Sequence, residues 1–274
     1  IVNGVSVGTA NITYTVPTGC FSVVQITVNT AVPNITGPAS VCLGETANLS
    51  HPVSGGTWVS SNLSTATITS TGVVSGLAVG TTTLSYRLEE GCYATRTPTV
   101  SPLPNPLGGN ANVCIGSSSL LTNTVIGTWS SSHPSVATVA GSGLVSGISL
   151  GTSIITFRSN ASGCRITQQI TVNPLPAPIT GALAFCPTNT VTLSSATTGG
   201  VWSSFNPLVV SIDSTSGVAT AMASSFTGIS VTTIRYTLPT TGCQRIAVLT
   251  VNPLLLVHQL LVMSILMVVL LQER

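Results

Sequence analysis

Hydrophobic and polar residues alternate along short stretches of the chain, and glycine-containing turns separate these stretches. The clearest example is 83–88, in which Leu84, Tyr86 and Leu88 share one face and polar or charged residues take the other. Alternation with a period of two is typical of a β-strand that buries one face and exposes the other. The pattern therefore predicts strands rather than helices.

Seven stretches of this kind follow one another in one segment of the chain, with turn residues between them. They are 35–42, 46–49, 55–59, 66–68, 72–75, 83–88 and 92–100. Seven short strands with turn signals at close intervals are typical of a β-sandwich of the immunoglobulin-like type. We therefore predict an all-β fold.

The same segment is written several times in the chain. Cys42, Cys114 and Cys186 follow one another at intervals of 72 residues, and Cys20, Cys92 and Cys164 keep the same interval. A period of this length indicates a tandem array of small domains. The predicted boundaries are a partial repeat at 1–30, full repeats at 33–101, 105–173 and 177–252, and an apolar tail at 254–274.

The partial repeat runs in register with the second half of the next repeat. We therefore expect that the sequence begins inside a repeat and is a piece of a longer protein. The third repeat has extra residues around 223–228, and we interpret them as a loop insertion that leaves the fold unchanged.

Proline recurs at alternate positions between the repeats, in 101–106 and 173–178. Such segments favour an extended, semi-rigid backbone. Strands of eight or nine residues plus a linker of this kind give a rise of roughly 35 Å per repeat. The prediction is an extended rod of tandem immunoglobulin-like β-sandwiches.

Each repeat also has its own candidate core. A tryptophan on the third strand and an aromatic residue on the sixth are expected to pack from facing sheets at the centre of the sandwich. These core residues are Trp58 with Tyr86, Trp129 with Phe157, and Trp202 with Tyr236.

Seven cysteines at fixed repeat positions predict a disulfide framework in an oxidising compartment. Two pairings stay open. Pairing within each repeat gives Cys42–Cys92, Cys114–Cys164 and Cys186–Cys243. Pairing between neighbouring repeats gives Cys42–Cys164 and Cys114–Cys243, with Cys20 and one other cysteine unpaired, and it suits a sandwich whose first turn and last hairpin lie at opposite ends.

Composition removes several function classes. Only 4% of the residues are charged, the net charge is +2, and the basic residues are seven arginines with no lysine. No basic stripe exists for nucleic acid. Asp213 is the only aspartate, and the four glutamates do not recur at one repeat position, so paired carboxylates for hydrolysis or calcium binding are not expected. His51 and His133 lie in turns beside prolines. We predict no catalytic residue, no metal site and no cofactor.

Five arginines fall on the sixth and seventh strands of the repeats. Two interpretations remain: a row that binds acidic glycans, or charges that prevent the edges of sheets from aggregating. The residues are Arg87, Arg96, Arg158, Arg165 and Arg245.

The tail breaks the repeat pattern. Residues 254–271 form an uncharged run of 18 residues, which as a helix would span about 27 Å, close to the thickness of a bilayer core. Two interpretations are weighed equally, a membrane anchor and a mis-framed end of the coding sequence.

The second repeat carries a resemblance to a known family. The string 129–139, followed by 143–147 and 151–152, resembles the bacterial immunoglobulin-like domain of group 2. The segment 171–176, with a cysteine in each half of the repeat, is similar to tandem repeats of giant secreted surface proteins of Bacteroidetes. The resemblance covers residues 1–253 and implies an extracellular rod like the stalks of invasin- and intimin-like proteins. It supplies no catalytic residue, and the cysteines depart from the usual pattern of the family.

Two functions are consistent with these observations. The first is a non-catalytic structural and adhesive rod at the cell surface or in a secreted protein, with surface glycans, other surface proteins and neighbouring repeats as partners. The alternative is a set of spacer or carbohydrate-binding modules attached to a secreted enzyme. A membrane partner is expected only if the tail is an anchor.

Overall fold

The computed structural model describes residues 1–187, 189–222 and 228–253, and every regular element in these ranges is a β-strand. The all-β prediction is therefore confirmed. The predicted insertion, apart from Gly228, and the apolar tail lie outside the described residues. The described residues form two compact units: 1–104 with 159–164, and 105–158 with the described residues between 165 and 253.

The first unit begins with the partial repeat, which is a single hairpin. Strands β1 (Gly8–Thr15) and β2 (Phe21–Val28) pair antiparallel along their whole length. Nearly all of their side chains are exposed, including Tyr14 and Phe21. The five strands that would cover this hairpin in a full repeat are not part of segment 1–30.

The first full repeat has nine short strands, because two of its long strands are interrupted. They are β3 (Ser40–Cys42), β4 (Thr46–Asn48), β5 (Thr57–Ser60), β6 (Ala66–Ile68), β7 (Val73–Gly76), β8 (Gly80–Thr81), β9 (Leu84–Arg87), β10 (Tyr93–Arg96) and β11 (Thr99–Ser101). They form sheets with the orders β10-β9-β5, β3-β11-β8 and β4-β7-β6.

The second unit holds the second repeat, whose long strands are continuous. Its strands are β12 (Asn112–Cys114), β13 (Ser118–Leu120), β14 (Gly127–Ser131), β15 (Ala137–Val139), β16 (Leu144–Gly147), β17 (Gly151–Ser159) and β18 (Arg165–Asn173). One sheet has the order β12-β18-β17-β14 and the other the order β13-β16-β15.

The third repeat has the same plan with two added short strands. Its strands are β19 (Ile179–Thr180), β20 (Ala184–Phe185), β21 (Thr190–Thr192), β22 (Ser194–Ser195), β23 (Val201–Ser204), β24 (Val210–Ile212), β25 (Val218–Ala221), β26 (Ser230–Thr237) and β27 (Gln244–Val251). The sheets are β20-β27-β26-β23, β21-β25-β24 and β19-β22.

The first segment of each repeat contacts both sheets. In the second repeat an isolated bridge joins Gly108 to Thr122 beside β13, and β12 then pairs parallel with β18 in the other sheet. The first and third repeats do the same. The first strand thus changes sheets and runs parallel to the last strand, whereas the other strand pairs are antiparallel. This arrangement gives an immunoglobulin-like sandwich in every full repeat.

Three separate hydrophobic cores lie one in each full repeat. The core of the second repeat contains Leu121, Val145, Ile155 and Ile170, all completely buried. The other two cores have equivalent members. Each repeat therefore buries its own apolar face, as a tandem array requires.

The predicted aromatic pairs are in contact, but their placement was predicted wrongly. Trp58 lies directly opposite Tyr86 on the neighbouring strand of the same sheet, not on the facing sheet. The rings are 4.8 Å apart, and the pairs in the second and third repeats are 4.8 and 4.5 Å apart. Trp202 is buried, whereas Trp58 and Trp129 are half-buried. The third and sixth strands are sheet neighbours, so the two rings pack side by side.

Candidate functional site: the disulfides between repeats

The structure contains two disulfides, and each joins one repeat to the next. Cys42 is bonded to Cys164 with Cα atoms 5.7 Å apart, and Cys114 is bonded to Cys243 with Cα atoms 5.5 Å apart. In both bonds the first cysteine lies in the turn after the first strand of a repeat. The second cysteine closes the hairpin between the sixth and seventh strands of the following repeat. We call these two places the cysteine turn and the cysteine hairpin.

The cysteine turn is held by the last strand of its own repeat. Cys114 pairs with Asn173 in the parallel register of β12 and β18, and the N–H of Ile115 donates to the Asn173 carbonyl at 3.0 Å. The N–H of Ser117 then donates to the Cys114 carbonyl at 2.9 Å and closes the turn. Gly116 has φ +75°, a value that favours glycine. The first cysteine therefore lies where the chain leaves the repeat.

The cysteine hairpin holds its cysteine by a similar closed loop. The N–H of Leu238 donates to the Cys243 carbonyl at 2.8 Å, and Thr241 Oγ1 accepts from the N–H of Cys243 at 3.2 Å. Gly242, just before the cysteine, has φ +74°. Both bonded hairpin cysteines, Cys164 and Cys243, are completely buried.

Pairing within a repeat, the first of the two open alternatives, is not what the structure contains. Cys42 lies opposite Ser101, at the end of the last strand, whereas Cys92 lies before the start of that strand. Ser101 follows Cys92 by nine residues, which in an extended chain is a distance of about 30 Å. A disulfide needs Cα atoms within about 7 Å. The cysteines of one repeat therefore lie too far apart to bond.

The expected number of unpaired cysteines was also wrong. Three thiols are free rather than two: Cys20 is exposed, and Cys92 and Cys186 are half-buried. Under the inter-repeat rule, Cys186 would need the cysteine hairpin of a following repeat. Cys92 and Cys20 would each need the cysteine turn of a preceding one. None of the seven cysteines of this sequence occupies those positions.

A groove of about 590 Å³ lies beside the Cys114–Cys243 bond within the second unit. Residues of the second repeat, such as Asn112 and Ser118, line one side, and Gly242 and Gln244 of the third repeat line the other. The lining has amide and hydroxyl groups and no charged side chain. Apolar side chains such as Ile115 and Ile246 also line the groove, so the junction is a mixed polar and apolar contact beside a covalent bond.

Two of the arginines have structural contacts that neither sequence interpretation foresaw. Arg96 donates through Nη1 to the Ile35 carbonyl at 3.0 Å and through Nη2 to the Gly37 carbonyl. Arg245 donates through Nε to the Pro176 carbonyl at 2.9 Å. The Ile35 and Gly37 carbonyls belong to the first segment of the first full repeat, and the Pro176 carbonyl belongs to the linker just before the third repeat. The two guanidinium groups therefore satisfy backbone acceptors at the start of their repeats or just before it.

The remaining arginines of the set differ from one another. Arg87 lies over the ring of Tyr93 at 5.9 Å. Arg158 and Arg165 are opposite each other at the end of the β17–β18 hairpin. The glycan interpretation for these positions stays a prediction.

The histidines and the aspartate also have structural contacts. His51 stacks on Tyr86 at 4.3 Å, and its Nε2 is 2.8 Å from the Pro33 carbonyl. Nδ1 of His133 is 2.9 Å from the hydroxyl of Ser132. The pKa of Asp213 is lowered because the N–H and then the hydroxyl of Ser216 donate to its carboxylate, with a further bond from the N–H of Thr215. His258 lies outside the described residues.

The part of the chain that the structure describes was also considered for metal sites and membrane-spanning helices. In these ranges no three His, Cys, Asp or Glu residues lie close enough to hold a metal ion. The same ranges contain no helix that could cross a membrane. The disulfide junctions are therefore the best-defined candidate site.

Comparisons with known proteins find similarity only among solved structures. No protein-family model matches the chain, and no curated protein matches it. Invasin, a bacterial integrin-binding protein, is 15% identical over 90% of this chain and 65% of its own, with a TM-score of 0.33. A fragment of intimin, solved with the intimin-binding domain of its translocated receptor, is 14% identical over 55% of this chain and 64% of its own, with a TM-score of 0.32.

The surface-layer protein SbsC is also among these structures. Its domains 1–6 are 14% identical over 89% of this chain, with a TM-score of 0.27, and this chain spans 44% of that fragment. At these identities and TM-scores, no residue role, partner or activity is carried over to this chain.

Proposed function

We propose that the chain is a non-catalytic, extracellular structural and adhesive rod of immunoglobulin-like repeats, and that it belongs to a larger surface protein of the kind that the group 2 resemblance implies. The observation that supports this most directly is the pair of overlapping disulfides between repeats. Cys42–Cys164 spans 122 residues and Cys114–Cys243 spans 129, and the two spans share the segment from Cys114 to Cys164.

The overlap has a mechanical consequence for a chain pulled from its ends. The shortest covalent path from Cys42 to Cys243 crosses the first disulfide to Cys164, follows the chain back to Cys114, and crosses the second disulfide. This path contains only the 50 residues between Cys114 and Cys164, whereas 201 residues separate Cys42 from Cys243 along the chain. Force therefore cannot extend the repeats fully even if they unfold.

The lengths follow from the reach of an extended chain. At 3.3–3.6 Å per residue, the bonded path extends to about 170 Å, and the reduced chain to about 700 Å. A limit of this kind is useful to a protein that bears tension between a surface and its partner. It adds nothing to an isolated soluble domain.

The disulfides also support the proposed location. Disulfides form and persist in oxidising compartments, among them the outside of the cell. With only 4% charged residues, the polar side chains of the chain are mainly Ser, Thr and Asn, and surface proteins or glycans are the proposed adhesive partners.

Single-molecule force spectroscopy on the full chain, held at its two ends, tests the proposal. Between Cys42 and Cys243, the fully extended oxidised chain should reach only about a quarter of the length that the reduced chain reaches. The control is Cys20→Ser, which leaves both disulfides in place and should behave like the unchanged protein. Equal extension before and after reduction would contradict the mechanical role.

A further inference from the structure

The loop before the third strand is shorter in the second repeat than in the other two. Trp129 follows Leu121 by eight residues, whereas the equivalent tryptophan follows its leucine by nine in 49–58 and in 193–202. The three leucines are equivalent, because each backbone N–H donates at 2.9 Å to the carbonyl of the glycine between the fourth and fifth strands. The second repeat thus has one residue fewer to cover the end of its aromatic pair.

The turn in this loop also differs between the repeats. The first and third repeats have Gly55 and Gly199 there, with φ +84° and +81°, values that favour glycine. The second repeat has Ile126 at this position, with a negative φ and a side chain that is 82% exposed. The shorter loop therefore turns differently and places an apolar side chain at the surface.

The aromatic ring below the loop lacks the hydroxyl group of its counterparts. The hydroxyl of Tyr86 lies between the N–H of Gly56 and the carbonyl of Val53, 2.8 Å from each, and Tyr236 has two equivalent bonds. The second repeat has Phe157 at this position. Space is therefore left at the end of its ring.

A stacked ring of the first repeat is also replaced. His51 stacks on Tyr86 at 4.3 Å, and the equivalent residue of the second repeat is Asn123. The amide nitrogen of Asn123 donates to the Asn105 carbonyl at 2.7 Å, and its amide oxygen accepts from the N–H of Val125 at 3.2 Å. Both polar atoms of this side chain are thus bonded to the backbone, and no ring takes the place of the histidine.

A pocket of about 300 Å³ lies where these differences meet. Two aromatic residues, Trp129 and Phe157, line it together with aliphatic side chains and a few hydroxyl and amide groups, and none of its lining residues is charged. We propose that this pocket binds one neutral aromatic ring, either of a free small molecule or of a side chain of a partner polypeptide.

Volume, charge and lining favour this ligand. Ligand pockets usually measure about 300–1,000 Å³, so this one has room for a single ring and not for an oligosaccharide. The two rings in its wall, 4.8 Å apart, offer the edge and offset contacts that a third ring prefers. An ionic ligand would lose its hydration without gaining a charged partner. A sugar needs partners for several hydroxyl groups, and the amide of Asn123 is already bonded.

The two sources of the ring differ in what surrounds it. A side chain of a partner would bring neighbouring residues onto Leu120 and Ile126, which line the pocket and are 52% and 82% exposed. A free molecule would not use these two side chains as fully. The polypeptide source rests on the adhesive part of the proposed function, whereas binding of the ring itself does not.

Nuclear magnetic resonance titration of the full, isotope-labelled chain with p-cresol, the side-chain analogue of tyrosine, tests the proposal. Each full repeat has one tryptophan, so three indole N–H signals report the three repeats separately. Variants Trp58→Phe and Trp202→Phe assign these signals. The Trp129 signal should shift and reach saturation, and the other two should stay in place.

Two variants of the pocket should weaken this binding. Phe157→Tyr should weaken it about tenfold or more, because the added hydroxyl occupies the pocket. This variant keeps the fold, since the other two repeats have tyrosine at the position. Ile126→Asn should weaken binding about threefold by removing exposed apolar surface. The matched control is Ile148→Asn, an exposed isoleucine of the same repeat outside the pocket, which should bind p-cresol like the unchanged chain.

Two further ligands separate the possible sources. If the peptide acetyl-Leu-Tyr-Leu-amide binds more tightly than p-cresol and loses this advantage in Ile126→Asn, the ring belongs to a side chain of a partner. Equal or weaker binding of the peptide assigns a free molecule. Methyl glucoside should leave the Trp129 signal unchanged.

Three results would overturn the proposal: equal shifts of all three indole signals or none, an undiminished response in Phe157→Tyr, or saturable binding of methyl glucoside at Trp129. These results leave the force measurement untouched, so the mechanical role of the disulfides is decided separately.

Discussion

Tyr86 and Tyr236 carry hydroxyl groups that tie together the loop before the third strand. The Tyr86 hydroxyl accepts from the N–H of Gly56 at 2.8 Å and donates to the Val53 carbonyl at 2.8 Å. The Tyr236 hydroxyl accepts from Gly200 at 2.8 Å and donates to Thr197 at 2.6 Å. These bonds fix the backbone beside the buried aromatic pair.

The second repeat has Phe157 at this position, and it therefore lacks both bonds. A cavity of about 300 Å³, lined in part by Phe157, Gly127 and Trp129, lies at the end of the ring. Phe157→Tyr should place a hydroxyl where Gly127 can donate, and Thr124, five residues before the tryptophan, offers the carbonyl. We expect a gain of about 0.5–1.5 kcal/mol in the free energy of unfolding of the second repeat.

Urea denaturation of the oxidised chain measures this gain. The matched control is Tyr86→Phe, which removes the same hydroxyl from the first repeat, leaves the Gly56 N–H without its partner, and should cost about 1–3 kcal/mol. Unchanged or lower stability of the second repeat in Phe157→Tyr would contradict the role of the hydroxyl.

At the scale of the strand, a buried hydroxyl recurs four residues before each sixth-strand aromatic. In the second repeat it belongs to Ser153, which is 2% exposed. Ser153 Oγ accepts from the N–H of His133 at 3.1 Å and lies 2.8 Å from Ser131 Oγ, which donates to the Ala137 carbonyl. Thr82 and Thr232 hold the equivalent positions in the other repeats. The hydroxyl joins the sixth strand to the chain that leaves the third.

Ser153→Ala should therefore cost about 0.5–1.5 kcal/mol, because the His133 N–H loses its acceptor at a partly buried position. Ser153→Thr is the matched control: it keeps the hydroxyl and introduces the residue found in the first and third repeats. Calorimetric unfolding of both variants decides the question. A loss as large in the threonine variant as in the alanine variant would show that volume, not hydrogen bonding, matters there.

The positions of the strands along the chain were easier to predict than their neighbours in the sheets. Alternation between polar and apolar positions located the strands around 57–60, 66–68 and 84–87, because each buries one face. It could not show that the third strand lies beside the sixth, so the tryptophan was assigned to the wrong sheet. The contacts of Arg96 with Ile35 and Gly37 were missed because residues 59 to 61 positions apart meet only after the first strand changes sheets.

The disulfides were partly predictable for a related reason. The repeat interval of the cysteines indicated equivalence, and the fold class placed the first turn and the last hairpin at opposite ends of a sandwich. These two facts favoured pairing between repeats but could not exclude the pairing within them. The register that sets Cys42 beside Ser101 makes the difference, and it depends on a parallel strand pair that the sequence does not signal.

At the scale of the whole molecule, the positions of the bonded cysteines support the proposed rod. The cysteine turn lies beside the last residues of its repeat, where the chain leaves toward the proline-rich linker. The bonded cysteine of the next repeat closes a hairpin at the opposite end of that domain. Each disulfide therefore joins the end of a sandwich where its chain leaves to the cysteine hairpin of the following repeat.

Small-angle X-ray scattering of the oxidised chain should therefore report an elongated particle. Three repeats with a rise of roughly 35 Å each give a maximum dimension near 100 Å or more. Cys20→Ser, which removes the exposed free thiol and so reduces disulfide dimers that would add to the apparent length, is the suitable variant for the measurement. A compact particle of about 60 Å would contradict the rod, because domains folded back on one another could not transmit tension from one end to the other.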